Sequence, residues 1–161
     1  MAACGRHAPS YPVPPQFESS LGLDPGELRP AVQMDDADAD RYIVRDISPE
    51  PLALRWAFLH PELRLQVENA EHLKFYMEFV VPDVTFRETG PVVVSCSING
   101  KLLGSVRCPH PGRYRFEKPV PPGLVKERVP VTVSANAEPR YVAKADKAQL
   151  SFLLAGAGFI Q

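Results

Sequence analysis

Long hydrophobic runs are absent from this 161-residue chain: no window approaches the roughly 18 to 20 apolar residues that cross a bilayer as a helix. An excess of one charge sign is absent too. The chain carries 18 Lys and Arg against 19 Asp and Glu, a net charge of −1, so it shows no electrostatic footprint for nucleic acid or anionic membranes. Glycine is scarce, with 10 residues against 18 prolines. No phosphate-cradling glycine loop is present, and so much proline disfavours long helices. The 3 cysteines, Cys4, Cys96 and Cys108, are an odd number without metal-ligand spacing. Tryptophan occurs once, at Trp56.

What is present suffices for one core. Hydrophobic residues make up 45% of the chain, and its length suits one domain rather than two. Residues 1–40 read as a flexible leader: Pro9, Pro12, Pro14, Pro15, Pro25 and Pro30 are followed by Asp35, Asp36, Asp38 and Asp40, with no apolar periodicity. From Arg41 to residue 161 the text changes to strand-length alternation. Leu52, Leu54, Trp56 and Phe58 form one apolar face until His60-Pro61 breaks the run. Leu63, Leu65 and Val67 then alternate with charged and polar residues. Leu73, Phe75, Met77, Phe79 and Val81 face one way, while Lys74, Tyr76 and Glu78 face the other. A period of two held this long is strand. Val92, Val94, Cys96 and Ile98 lead into Asn99-Gly100, the strongest hairpin signal in the chain. Turn residues recur about every ten positions, and only Leu124 to Arg128 hints at a helical turn. The expectation is an all-β, antiparallel β-sandwich of jelly-roll or immunoglobulin-like type, with about eight to ten strands.

A two-residue turn at Asn99-Gly100 would pair Cys96 with Leu103. Cys108 would then lie about five rungs, roughly 17 Å, further along and on the other face. That separation forbids a bridge, and both residues are expected to act as small buried or half-buried hydrophobes.

Candidate sites are few. Asp36-x-Asp38-x-Asp40 has half of a calcium-loop pattern, but Arg41 stands where the turn glycine belongs and Ile47 where the bidentate Glu belongs. It reads as a solvated acidic segment. The four histidines are scattered, so neither a metal site nor a cofactor is expected. Ser95-Cys96-Ser97 lies inside a strand without a nucleophile elbow, and no catalytic residue is assigned. The segment Pro82 to Pro91 reads as a stiff loop whose Arg87 and Glu88 are candidate ligand-binding groups, although their pairing with other strands, or with each other through solvent, is the favoured reading. Tyr76, projecting among Lys74 and Glu78, is the best candidate for an exposed aromatic, whereas Trp56 is assigned to the core.

The opening Met1-Ala2-Ala3-Cys4-Gly5 resembles the processing site of bacterial lipoproteins, and the proline-rich stretch after it is similar to their tethers. The resemblance implies lipidation at Cys4 and a place in the bacterial cell envelope, lipid-anchored or periplasmic, if the natural start lies upstream of Met1. Otherwise the chain is cytoplasmic. From Arg41 onward, Phe86-Arg87-Glu88-Thr89-Gly90-Pro91, the Ile98 to Gly104 hairpin and Gly158-Phe159 resemble small bacterial β-sandwich modules of carbohydrate-binding-like shape. The expected function is a non-catalytic binding or accessory module. Its ligand is a glycan or an envelope protein, met by the outer sheet near Tyr76, Arg87 and Glu88. The alternatives are an interaction protein that docks through an edge strand and, third, an enzyme with an unrecognised site.

Overall fold

A computed structural model of the chain describes residues 27–161. Eleven strands, one α-helix and a short 3-10 helix (Ala39–Arg41, between β1 and β2) make up the fold, in the order β1 (Ala31–Gln33), β2 (Ile43–Ile47), β3 (Arg55–Leu65), β4 (Lys74–Val81), α1 (Asp83–Thr89), β5 (Val92–Ile98), β6 (Lys101–Cys108), β7 (Gly112–Pro119), β8 (Val131–Glu138), β9 (Tyr141–Val142), β10 (Gln149–Leu150) and β11 (Phe152–Ile160). Every pairing is antiparallel. The main sheet runs β6-β5-β8-β3-β11-β4-β7, with β1 added beside β11 and β2 beside β3. The all-β antiparallel fold expected from the alternation is therefore the one observed.

One strand joins the two halves of the fold. β3 pairs with β11 through Arg55–Ala57 and with β8 through Glu62–Leu65. His60-Pro61 sits where it leaves one partner for the other, so the proline without an N–H interrupts no ladder there. Asp46 supports the bend by accepting a hydrogen bond from the His60 N–H at 2.9 Å. The halves β6-β5-β8 and β11-β4-β7 enclose Phe75, Phe79, Phe152, Leu65, Val94 and Ile98, each nearly inaccessible to solvent. Phe79 and Phe152 meet at 5.0 Å between ring centres, and Phe75 and Phe159 at 5.4 Å. β6 and β7 are the ends of this seven-strand path, and they lie side by side without pairing, so the sheet is nearly closed.

Five expectations are corrected. The first is the leader boundary at residue 40. Val32, Met34 and Ala39 are buried, and β1 adds to β11 in the register Ala31↔Gly158, so residues from about 28 onward belong to the domain. Second, Asp36, Asp38 and Asp40 are not merely solvated. Arg29 bonds Asp36 and Asp38, and the buried Arg55 bonds Asp40 at 2.6 Å. Third, Pro82 to Pro91 is not an irregular loop. Pro82 in extended conformation starts α1, Asp83 favours its amino end, and Gly90 at φ 71° ends it. Fourth, Cys108 is on the same face as Cys96. A bulge opposite Cys96 and Ser97 pairs Cys96 with Gly104 instead of Leu103, which turns Cys108 inward opposite Val92. Both thiols are free and buried. The helical turn suggested for Leu124 to Arg128 does not form; turns occupy that stretch.

Candidate functional site

The side chains that combine apolar surface with fixed polar groups stand on the outer face of β3, β11, β4 and β7. Alternation places them there. On β11, Phe152 and Leu154 point into the core, so Leu153 between them points out. Leu153 lies opposite Trp56 of β3 on one side and Val80 of β4 on the other, and Val80 lies opposite Arg113 of β7. Trp56, Leu153, Val80 and Arg113 therefore form one row across four strands. The first three are half-buried and outside the core cluster, while Arg113 is exposed.

A polar row runs beside it. Gly156 of β11 lies between Gln33 of β1 and Glu78 of β4, and Glu78 lies opposite Arg115 of β7. Arg115 donates to Glu78 at 2.5 Å and to Glu117 at 3.4 Å. Its guanidinium lies 4.3 Å from the centre of the Tyr76 ring. Burial pushes the Tyr76 phenol above its ordinary range, and the side chains of Arg115 and Gln33 beside it pull it partly back. The glycine at 156 makes this possible, because a Cβ there would stand 2.6 Å from the Gln33 amide oxygen.

This arrangement corrects two assignments. Tyr76 is on the outer face as expected, but it is only 8% exposed and its ring is capped by Arg115. It is a support for the polar cluster, not an open platform. Trp56 is not in the core. Arg55, at 2% exposure, and Ala57 take the inward positions on β3, in step with Leu63 and Leu65. The bend at Pro61 leaves this parity unchanged, and Leu63 and Leu65 carry the signal that could have found it. Arg113, Glu78 and Arg115 were also missed as site residues.

Arg87 and Glu88 are exposed on α1 and form no hydrogen bond or ion pair among the described residues. Five residues of β4 separate Tyr76 from the end of that strand, about 17 Å at strand rise, so the structure does not bring the three together. Cys4 lies outside the described residues. Among the described residues no group of three or more His, Cys, Asp or Glu could hold a metal ion, and no helix is long and apolar enough to cross a membrane. A separate cleft of about 640 Å³ opens between the β3–β4 and β7–β8 connections, lined by Glu71, His72, Leu73, Val120 and Val125.

No protein-family model matches the sequence, and no curated protein matches it. Solved structures do resemble the fold. An acetyl xylan esterase from the rumen bacterium Butyrivibrio proteoclasticus superposes with a TM-score of 0.50 at 13% identity, over 84% of this chain and 34% of that one. The chain thus spans about a third of the esterase's length. Dimeric latent PorU from Porphyromonas gingivalis gives a TM-score of 0.39 at 14% identity, covering 73% of this chain and 12% of that one. An alpha-xylosidase from Xanthomonas citri gives 0.26 at 11% identity, over 67% and 12% respectively. At these identities the likeness to the esterase is one of fold.

Proposed function

We propose that this domain is a non-catalytic binding or accessory module whose ligand, a glycan or a partner protein, meets the outer face of β3, β11, β4 and β7. The observation that carries the reading is the row Trp56–Leu153–Val80 beside the Arg115–Glu78 pair. Apolar side chains outside the core, next to polar groups already held in place, are what a pre-organised binding surface requires. A fold shared with about a third of the acetyl xylan esterase's chain fits a module that works beside a larger protein. Cys4, if lipidated, would place that module in the bacterial cell envelope. Arg87 and Glu88 belong to a second, separate surface in this reading.

Docking by strand addition has less support. The end strands of the main path carry Lys101 and Arg107 on β6, and Arg113, Arg115 and Lys118 on β7, and β6 is bulged. Charge and bulges are the features that discourage edge pairing.

Affinity electrophoresis through gels containing different polysaccharides tests the glycan branch, with Leu153→Glu as the variant. Retardation by one polysaccharide that disappears in Leu153→Glu supports the reading. Retardation unchanged in that variant moves the site off this face. Fatty-acid labelling of the natural gene product tests the anchor: label lost in Cys4→Ala supports it, and label on neither version removes it.

A further inference from the structure

We infer that the outer row takes an acidic oligosaccharide, laid across the strands with sugar faces on Trp56, Leu153 and Val80 and a carboxylate at Arg113. This deepens the proposed function and rests on its glycan branch. Three observations combine.

The first is the indole. Trp56 is half-buried on the outer face, outside the core cluster, and directly opposite Leu153. A planar aromatic with adjoining aliphatic surface suits the C–H faces of a sugar ring. The second is size. Three apolar side chains on adjacent strands span only about 10 Å at strand spacing. A standard protein interface needs about 800 Å² from each partner, which a strip this narrow cannot supply in apolar contact.

The third is charge. Arg115 is neutralised by Glu78 and Glu117, whereas Arg113 forms no hydrogen bond or ion pair among the described residues and is exposed. The row therefore ends in an open guanidinium fork, the group best shaped for two hydrogen bonds to a carboxylate. From Trp56 to Arg113 the row crosses three strand spacings, about 14 Å, which is the reach of a short oligosaccharide and not of a single sugar. Glu78 and Gln33 flank it, positioned to accept from and donate to ring hydroxyls.

The chain supplies its own probe, because Trp56 is its sole tryptophan. The experiment titrates the full chain with a uronic-acid trisaccharide and with its carboxyl-reduced neutral counterpart, reading tryptophan emission and heat of binding in parallel. The expected result is a saturable emission change with the acidic trimer. Affinity should fall at least tenfold for the neutral trimer, and equally for Arg113→Ala with the acidic one. Equal affinity for the two trimers overturns the inference, as does unchanged affinity in Arg113→Ala. Heat of binding without an emission change, persisting in Trp56→Ala, would leave the glycan branch standing while this site falls. Absence of heat with every saccharide tried removes both.

Discussion

Arg115 lies over Tyr76, 4.3 Å from the ring centre, and the same guanidinium bonds Glu78. From the end strand β7, one side chain thus caps an aromatic ring and holds a carboxylate of the neighbouring strand β4. Its ordering effect outweighs its energy. A half-exposed cation–π contact and a surface pair together contribute about 1 kcal/mol. Arg115→Ala should lower stability by roughly that amount in urea unfolding. Ligand binding on this face should suffer far more, because Glu78 and Tyr76 lose their fixed positions. Equal losses in stability and affinity would show that Arg115 only supports the fold.

Tyr76 should make stability fall at high pH. Burial raises its folded pKa above the unfolded value, so the neutral phenol is the form that folding favours. The contribution is fully present below the unfolded pKa and is lost as pH rises through the folded one. Urea midpoints measured from pH 8 upward should decline more steeply in the parent chain than in Tyr76→Phe, with the difference opening above about pH 10. Parallel curves would contradict the assigned burial.

Two glycines on β11 should differ in tolerance. A Cβ at Gly158 would stand 2.3 Å from the Ala31 Cβ and 2.7 Å from its Cα, so β1 itself must move. At Gly156 the added atom meets only the flexible Gln33 side chain. Gly158→Ala should therefore cost about 1–3 kcal/mol and deprotect the amides of β1 to hydrogen exchange. Gly156→Ala should cost less and leave β1 protected. The reverse ranking would mean that β1 is not held in the register Ala31↔Gly158.

Arg55 and Asp40 offer an asymmetric test. Arg55 is almost wholly buried, donating to the Met34 carbonyl and to Asp40, while the Asp40 side chain is 71% exposed. Removing the carboxylate leaves a buried cation short of a partner, whereas Arg55→Met removes the charge with it. Asp40→Ala should cost about 1–3 kcal/mol, and more than Arg55→Met, in chemical denaturation.

Burial pushes the Cys96 thiol up to about 12 and that of Cys108 to about 11. Neither forms much thiolate at pH 8, and both are sterically closed. Alkylation of the native chain at that pH followed by peptide mass analysis should find both unmodified, and both modified in denaturant. Rapid native labelling of Cys108 would show that the inward turn produced by the bulge does not hold.

The alternation of residues determined by itself that this chain would be strands, and Asn99-Gly100 determined where one hairpin would turn. Local chemistry suffices for these, since period two and a positive-φ turn are properties of neighbouring residues. Alternation also separates the two faces of each strand. It does not say which face meets the core. For β4 the choice was plain, because one face is uniformly apolar. For β3 alternation favours the face of Leu52, Leu54, Trp56 and Phe58 for the core, and the pairing of Ala57 with Phe152, with Arg55 reaching Asp40, turned Trp56 outward instead. The addition of β1 to β11, the inward turn of Cys108 and the meeting of Val80 with Leu153 and Arg113 likewise depend on register between segments far apart in sequence. A one-residue bulge reverses every face beyond it, and only the partner strand decides whether that bulge is present. The candidate site is made of such cross-strand rows, which is why its strands were legible in the sequence and the site itself was not.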